Sequence, residues 1–232
     1  PKPRGGGFSF VIVSVIFSAL SSNFIPLYCL PLSIVGFLDD IYKVSIYKRF
    51  FVQFTTVILL SIILQPLINF NIFSNHIFFL FTSFFTVIFG VALINFVNFM
   101  DGIDGLVVGC MIVSFIATGI ITSQYVWPLV GSLLGFILWN WSPSLIFMGD
   151  SGSTFLGAVW FGIIFSSNSF LQAFALLLTS APLLMDAFTC VLIRKFNSIN
   201  IFKAHNSHLY QRLYRSGLSH SKVSSIYIFS TF

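Results

Sequence analysis

Residues 50–100 read FFVQFTTVILLSIILQPLINFNIFSNHIFFLFTSFFTVIFGVALINFVNFM, and this stretch contains no Asp, Glu, Lys or Arg. A helix that crosses a bilayer takes about 20 apolar residues, so the stretch can hold two spans joined by the proline-bearing connector 66–76. Three other stretches also lack these charged residues, namely 5–38, 105–149 and 151–185. Each of the four predicts a helical hairpin that leaves one membrane face and returns to it.

The composition also indicates a membrane protein. Of the 232 residues, 57% are apolar and 7% are charged, whereas a soluble domain carries about 25% charged residues. The three cysteines lie in apolar runs without metal-site spacing, so we expect no disulfide. A nucleic-acid partner is excluded despite the sequence pI of about 9.3, because the cations are dispersed between apolar stretches. Anionic lipid or a phosphorylated substrate is the expected partner.

The charges set the predicted orientation. All eleven Lys and Arg, and all six Asp, lie outside the four apolar stretches, and the positive-inside rule assigns their face to the cytoplasm. We therefore predict an all-α polytopic membrane protein with eight complete transmembrane helices and a truncated ninth that begins near Val223. The eight predicted spans lie near 8–22, 25–38, 50–65, 77–96, 106–122, 126–141, 152–167 and 170–192.

Asp39 and Asp40 form an adjacent pair at the membrane boundary, where unpaired carboxylates cost free energy. One interpretation is a solvated pair at a helix end, neutralised by Lys43, Lys48 and Arg49. The alternative is a site for general-base chemistry, or for orienting a metal and a phosphate.

Two further segments combine carboxylates with small polar residues. In 95–106, Asn95, Asn98 and Asp101 recur at a spacing of three, and Asp101 and Asp104 are each followed by a glycine; an ordinary polar helix end is the weaker alternative. In 140–153, Asp150 stands alone among small residues, where it could hold Mg²⁺ beside a diphosphate. The Gly-Asp-Ser-Gly run there also occurs in serine proteases, but no catalytic triad accompanies it.

The segment 194–222 is basic. If 201–216 is helical, His205, His208, Arg212 and Arg215 share one face, which suits phosphate binding. An amphipathic helix lying on anionic lipid is the alternative. A zinc site is disfavoured because no third ligand stands nearby.

These segments together resemble the polyprenyl-phosphate N-acetylhexosamine-1-phosphate transferase family, glycosyltransferase family 4. The N-terminal loop Pro1–Gly7 is similar to the family's Pro-Thr-Pro-Arg-Gly-Gly element, with Lys2 in place of Thr or Ser. The resemblance covers essentially the whole chain and implies one integral membrane transferase domain, 1–232, truncated at both ends. Its active-site loops would be 1–7, 39–49, 95–105, 140–153 and 193–222.

The resemblance also implies residue roles. Asp150 would be the main protein ligand of Mg²⁺, with Asn98 close to the metal and diphosphate. Asp39 would act as base toward the lipid phosphate, supported by Asp40, and His208 matches the family's shared catalytic-loop histidine. Asp101, Asn140 and Phe147 would form the uridine pocket, and Arg4, Asn95, Asp104, His205 and Arg212 would contribute to substrate binding.

The implied reaction transfers sugar-1-phosphate from a UDP-N-acetylhexosamine to undecaprenyl or another polyprenyl phosphate and releases UMP. Mg²⁺ is the implied cofactor, and Mn²⁺ could replace it. The implied location is the bacterial inner membrane, with a cytoplasmic active site, and a homodimer is compatible with it. The run Ala204–Leu213 resembles the subgroup that starts O-antigen or capsule chains with sugars related to N-acetylfucosamine or N-acetylquinovosamine.

Two other functions are open to the sequence. A secondary transporter would carry intramembrane carboxylates, and Asp186, after Pro182, lies inside a predicted span. Transporters bind near the bilayer midplane, whereas the other carboxylates here lie at one face. A non-catalytic remnant is the third hypothesis, which the retention of every family aspartate disfavours.

Overall fold

The computed structural model describes residues 2–21, 23–64, 76–198 and 206–232, and every regular element in these ranges is an α-helix. The eleven helices are α1 (Phe8–Ser21), α2 (Ile25–Tyr42), α3 (Ile46–Leu64), α4 (His76–Phe99), α5 (Leu106–Ile121), α6 (Trp127–Asn140), α7 (Gly149–Phe165), α8 (Phe170–Thr179), α9 (Ala181–Phe196), α10 (Leu209–Arg215) and α11 (His220–Thr231). The all-α prediction is therefore confirmed for the described part of the chain.

A helix occupies each predicted span, but the helices differ in length. Among the described residues, α2, α3 and Phe79–Phe99 of α4 are long and apolar enough to cross a membrane. Helices α1, α5 and α6 are apolar and shorter. Helix α11, at the predicted ninth span, has 12 residues. The count of eight spans plus a ninth stays a prediction.

The predicted span 170–192 is wrong as a single helix. The chain bends by 78° between α8 and α9. Pro182 lies in the first turn of α9, where its missing N–H is tolerated at a helix start but could not continue the ladder of α8. The bend is fixed to the core because the Trp160 indole N–H donates to the Ser180 hydroxyl at 2.9 Å. Counted together, α8 and α9 give a fourth candidate span.

Helix α7 forms the centre of the bundle. Every residue from Ser151 to Ile164 is buried, as expected for a helix that is apolar on all sides. It packs chiefly against α2 and α4. At the crossing with α2, a Cβ added to Gly36 would lie 2.5 Å from the carbonyl of Asp150, so only glycine permits this approach. The crossing brings the end of α2 onto the start of α7.

Candidate active site

A cavity of about 380 Å³ opens at the end of the bundle where α4 ends and α7 begins. Seven of the predicted site residues line it, and they come from four of the five predicted loops. The lining consists of Arg4, Asp40, Asp101, Gly102, Ile103, Asp104, Asn140, Phe147, Gly149, Asp150 and His220.

The N-terminal loop is held against the segment that precedes α7. The N–H of Phe147 donates to the Pro3 carbonyl, and the N–H groups of Gly6 and Gly7 donate to the carbonyls of Phe147 and Met148, at 2.9–3.0 Å. A Cβ on Gly7 would lie 2.5 Å from the Gly152 Cα, so the loop packs backbone to backbone on α7. This pairing places Arg4 at the cavity.

Asp40 binds the amino end of α7. Its carboxylate accepts the N–H groups of Asp150, at 3.2 Å, and Ser151, at 3.5 Å. The first N–H groups of a helix have no intrahelical partner, and negative charge is favourable there. Gly149 has φ +74°, and a Cβ on it would collide with the Asp40 carboxylate. Asp40 therefore fixes where Asp150 lies.

Arg49, which the sequence did not single out, connects two of the predicted residues. Its guanidinium contacts the Asp39 carboxylate at 2.7 Å and the Asp150 carboxylate at 2.6 Å. Asp39 does not line the cavity, and Arg49 links its carboxylate to that of Asp150. The only sequence signal was the cluster Lys43, Lys48 and Arg49, in which the three cations look alike.

The two asparagines of α4 have different surroundings. Asn98 donates through Nδ2 to Asp150 Oδ1 at 3.0 Å and to Ser153 Oγ at 2.8 Å. Asn95 exchanges side-chain hydrogen bonds with Gln53 of α3. Asn95 also donates to the Val91 carbonyl. The structure therefore brings Asn98 to Asp150, whereas Asn95 joins α3 to α4 and does not line the cavity.

The loop between α4 and α5 carries two carboxyls with opposite pKa shifts. Burial, together with the charges of Asp150 and Asp40, raises the pKa of Asp101 to about 8. Burial also acts to raise the pKa of Asp104, but hydrogen bonds from Ser144 and His220 outweigh it and hold that pKa below its usual value. Clustered carboxyls of this kind indicate a site built to receive positive charge.

Asn140 and His220 also line the cavity. Asn140 accepts the Gly105 N–H at 3.1 Å and donates to the Ile146 carbonyl at 3.0 Å, so it joins the loop between α4 and α5 to the segment that carries Phe147. His220 begins α11, and its Nδ1 lies 3.2 Å from Asp104 Oδ2. No sequence pattern singled out His220, because a histidine at a helix start is no functional signal by itself.

The shared face of the basic segment was conditional on a helix over 201–216, and the described residues 206–208 are not helical. Residues 199–205, and with them His205, lie outside the described part, and α10 begins only at Leu209. His208 precedes α10 in an extended conformation and is buried beside Asp186. Arg212 is exposed on α10. His208 and Arg212 thus have different environments, and neither lines the cavity.

Whether the cavity could hold a metal ion depends on the ligand atoms that its residues offer. Among the described residues, no three His, Cys, Asp or Glu side chains are grouped as metal ligands. Mg²⁺ is commonly held by one or two carboxylates together with substrate phosphates and water. Asp150 provides such a carboxylate at the cavity wall, with Asp101 on the same wall, so the residues fit Mg²⁺ bound jointly with a diphosphate.

Comparison with known proteins finds relatives that are all named as transferases. A probable undecaprenyl-phosphate N-acetylglucosaminyl 1-phosphate transferase of Bacillus subtilis is 29% identical over 94% of this chain and 67% of its own length. The phospho-N-acetylmuramoyl-pentapeptide-transferase of Sulfurimonas denitrificans is 30% identical over 67% of this chain and 57% of its own length. The undecaprenyl-phosphate alpha-N-acetylglucosaminyl 1-phosphate transferase of Thermotoga maritima is 28% identical, over 90% and 68% respectively.

The chain thus spans about three fifths to two thirds of the length of these relatives. The family model described as glycosyl transferase family 4 matches residues 23–168. This range includes α2 to α7 and most of the cavity wall. Because the match covers more than half of the chain and confirms the resemblance seen in the motifs, the chain belongs to glycosyl transferase family 4.

Proposed function

We propose that this protein transfers sugar-1-phosphate from a UDP-N-acetylhexosamine to undecaprenyl or another polyprenyl phosphate. In this reaction a phosphorus–oxygen bond to the lipid phosphate forms, the phosphoanhydride bond to the nucleotide breaks, and UMP leaves. The observation that carries the proposal is the convergence of loops 1–7, 95–105 and 140–153 on one cavity that holds both Arg4 and Asp150. The names of the relatives support the same reaction class.

The donor occupies the cavity in this proposal. Asp101, Asn140 and Phe147 surround the uridine, and Arg4 neutralises phosphate charge. Asp150, with Asn98 nearby, would hold Mg²⁺, for which Mn²⁺ can substitute, and the bound metal would offset the charge of the diphosphate. Asp150 and Asp101 both line the cavity, and burial beside other carboxylates raises the pKa of Asp101, so a divalent cation bound there would relieve the repulsion between them.

The acceptor phosphate approaches from the membrane boundary, where Asp39 lies. Asp39 serves as the base toward this phosphate, and Arg49, bound to both Asp39 and Asp150, supplies positive charge between the two substrates. We place the reaction at the cytoplasmic face of a bacterial inner membrane, as the first membrane step of O-antigen, capsule or related envelope polysaccharide synthesis. His205, His208 and Arg212 of the last loop are proposed to bind the donor, which requires His208 and Arg212 to approach a cavity that they do not line in the structure.

Transport is the second candidate function, and the residue that suggested it is Asp186, which lies inside a predicted span. In the structure the Asp186 carboxylate accepts hydrogen bonds from Leu209, Tyr210 and Tyr227 of the same chain. A carboxylate whose oxygens already accept these hydrogen bonds is a poor site for a transported ion, so this observation favours the transferase.

Transfer of radiolabel tests the proposal. Membranes that contain the protein are supplied with polyprenyl phosphate and a labelled UDP-sugar from a panel of UDP-GlcNAc, UDP-GalNAc, UDP-FucNAc and UDP-QuiNAc. We expect label in a butanol-extractable lipid for at least one donor, with release of UMP. Failure with every donor, in membranes where the folded protein is demonstrated, would contradict the proposal.

The Asp150→Asn variant tests the metal role. An amide lacks the anionic charge that Mg²⁺ prefers, so we expect turnover to fall to background and EDTA to have the same effect on the wild type. Added Mg²⁺ or Mn²⁺ should restore the EDTA-treated wild type but not the variant. Wild-type turnover in Asp150→Asn would exclude Asp150 as the metal ligand.

A further inference from the structure

Asp186 lies in α9, and donors from two other helices surround its buried carboxylate. Oδ1 accepts the Leu209 N–H at 2.8 Å, and Oδ2 accepts the Tyr210 N–H at 3.1 Å. The Tyr227 hydroxyl of α11 donates to Oδ2 at 2.6 Å. These contacts fix the start of α10 to α9 and α11, because Leu209 and Tyr210 are its first two residues.

The imidazole of His208 belongs to the same cluster. Its Nδ1 lies 3.5 Å from Asp186 Oδ1, and its ring stacks on that of Tyr210 with the centroids 5.6 Å apart. Both the His208 and Asp186 side chains are only 4% exposed. A buried carboxylate with this many donors restricts the positions of all of them.

Tyr210 extends the cluster to the cavity wall. Its hydroxyl donates to the Phe99 carbonyl at 3.2 Å, at the end of α4. A Cβ on Gly102 would collide with this hydroxyl, so Tyr210 lies directly against the loop. Gly102 and its neighbour Asp101 line the cavity. A continuous set of contacts therefore runs from Asp186 to the cavity without Asp186 or Tyr227 touching it.

We propose that Asp186 and Tyr227 are positioning residues for the donor cavity. Together they hold the start of α10, and through Tyr210 they hold the loop 100–105 in the conformation that receives the nucleotide. The identity of the nucleotide rests on the proposed function, whereas the mechanical connection between Asp186 and this loop does not.

Hydrogen exchange tests the connection without turnover. In Tyr227→Phe and Asp186→Asn, we expect faster exchange of peptides covering 206–215 and 99–105 than in the wild type. Tyr28→Phe is the matched control, because Tyr28 is half-buried and its hydroxyl makes no hydrogen bond among the described residues. Faster exchange in 206–215 with unchanged exchange in 99–105 would overturn the proposal, since the cluster would then stop short of the cavity.

Ligand measurements distinguish positioning from simple loss of folded protein. We expect Kd for UMP, and KM for the UDP-sugar, to rise roughly tenfold in Tyr227→Phe, the equivalent of one charge-assisted hydrogen bond. KM for the lipid phosphate should not change. A fall in active protein with both KM values and the UMP Kd unchanged would instead indicate a structural role only and contradict the proposal.

The double variant provides a further check. If Tyr227 acts through Asp186, Asp186→Asn should mask most of the effect of Tyr227→Phe on UMP binding, and additive effects would contradict the shared route. If the wild type transfers no sugar phosphate, the proposed function fails by itself. The exchange measurements still decide whether Asp186 controls the loop.

Discussion

Arg49 lies between carboxylates from two different helices, and this position gives one guanidinium two roles. It neutralises the repulsion between Asp39 and Asp150 and ties the start of α3 to the cavity. Both carboxylates are partly buried, so their charges are screened less than on an open surface. The net charge at the site therefore depends on Arg49 and on any cation that binds beside it.

Replacing Arg49 should make the stability of the protein depend on a divalent cation. Without the guanidinium, Asp39 and Asp150 repel each other, and we expect Arg49→Gln to lose about 1–3 kcal/mol of unfolding free energy in EDTA. Mg²⁺ should recover part of this loss, because it supplies the missing charge. Thermal unfolding in detergent with EDTA or Mg²⁺ measures both effects.

Lys48→Gln is the matched control, since Lys48 is an exposed cation one residue away. It should unfold as the wild type does under both conditions. An equal response to Mg²⁺ in Arg49→Gln and the wild type would show that Arg49 is not the counter-charge of the site.

Ser144 should stabilise the protein in a pH-dependent way through Asp104. Its hydroxyl donates to Asp104 Oδ1 at 2.8 Å, and with His220 it keeps the pKa of Asp104 below the usual value of about 3.9. A lowered folded-state pKa contributes stability above the unfolded-state pKa, and this contribution is lost as pH falls through the folded-state pKa. Ser144→Ala should therefore cost about 1–2 kcal/mol at pH 7 and progressively less toward pH 3.

Unfolding of Ser144→Ala across this pH range tests the linkage. Ser132→Ala serves as control, because the Ser132 hydroxyl donates only to the helix carbonyl of Leu129 among the described residues. Its effect should not vary with pH. A constant difference between Ser144→Ala and the wild type from pH 7 to pH 3 would separate Ser144 from the ionisation of Asp104.

For individual residues, the sequence predicted which carboxylates belong to the site, but not which side chains pair with them. Asp40, Asp101 and Asp150 stood out because carboxylates are costly beside a membrane, and the structure brings all three to one cavity. Arg49 could not be separated from Lys43 and Lys48, since only the packing of α3 decides which cation reaches Asp150. Asn95 was indistinguishable from Asn98 by spacing, and its partner Gln53 lies 42 residues away.

Close packing between α2 and α7 holds the cavity together at the scale of helices. Gly36 allows the backbones to meet, and Asp40, one turn further along α2, then reaches the free N–H groups of α7. The sequence has Gly36 three residues before the aspartate pair, but it does not contain the reason for the glycine. That reason is the backbone of α7, which lies more than 100 residues away in the chain.

Adding one methyl group at Gly36 should disrupt this contact. In Gly36→Ala the Cβ would lie 2.5 Å from the Asp150 carbonyl and 2.6 Å from the Ser151 nitrogen, so the helices must separate. We expect a loss of about 1–3 kcal/mol in unfolding free energy and weaker UMP binding, because Asp40 no longer holds α7. Thermal unfolding and equilibrium dialysis measure the two effects.

Gly131→Ala in α6 is the control, since a Cβ there would meet nothing within 4 Å. It should leave UMP binding unchanged and leave stability equal or slightly higher, as alanine favours a helix by about 0.5–1 kcal/mol over glycine. Gly36→Ala with wild-type stability and binding would refute the role of the close crossing.

Helix positions were predictable where they depended on local apolar length, whereas a bend inside a continuous apolar run was not. The predicted spans near 8–22, 106–122 and 126–141 agree with α1, α5 and α6 to within a few residues. The prediction of one helix over 170–192 missed the bend between α8 and α9, because the apolar run continues through the bend and Pro182 was the only local signal. The start of α10 depends on Asp186, a tertiary contact that no local pattern contains.

In the molecule as a whole, the direction of α7 places the candidate site at one end of the helix bundle. The helix starts at the cavity with Gly149 and ends at Phe165, so its 17 residues separate the two ends by about 25 Å at 1.5 Å per residue. The loop that contains Ser45 follows α2 on the cavity side, and the connector that contains Asn168 follows α7 on the far side. Both residues are exposed.

These positions make the predicted orientation testable. A cysteine at Asn168 should react with a membrane-impermeant thiol reagent added to intact cells, whereas a cysteine at Ser45 should react only after the membrane is opened. The reason is that the apolar stretches predict a common side for the Lys and Arg residues and Ser45, which the positive-inside rule assigns to the cytoplasm. The native cysteines Cys29, Cys110 and Cys190 are buried, so the unmodified protein should give low background labelling. Labelling of Ser45→Cys but not Asn168→Cys in intact cells would reverse the orientation and place the cavity outside, where no cytoplasmic UDP-sugar could reach it.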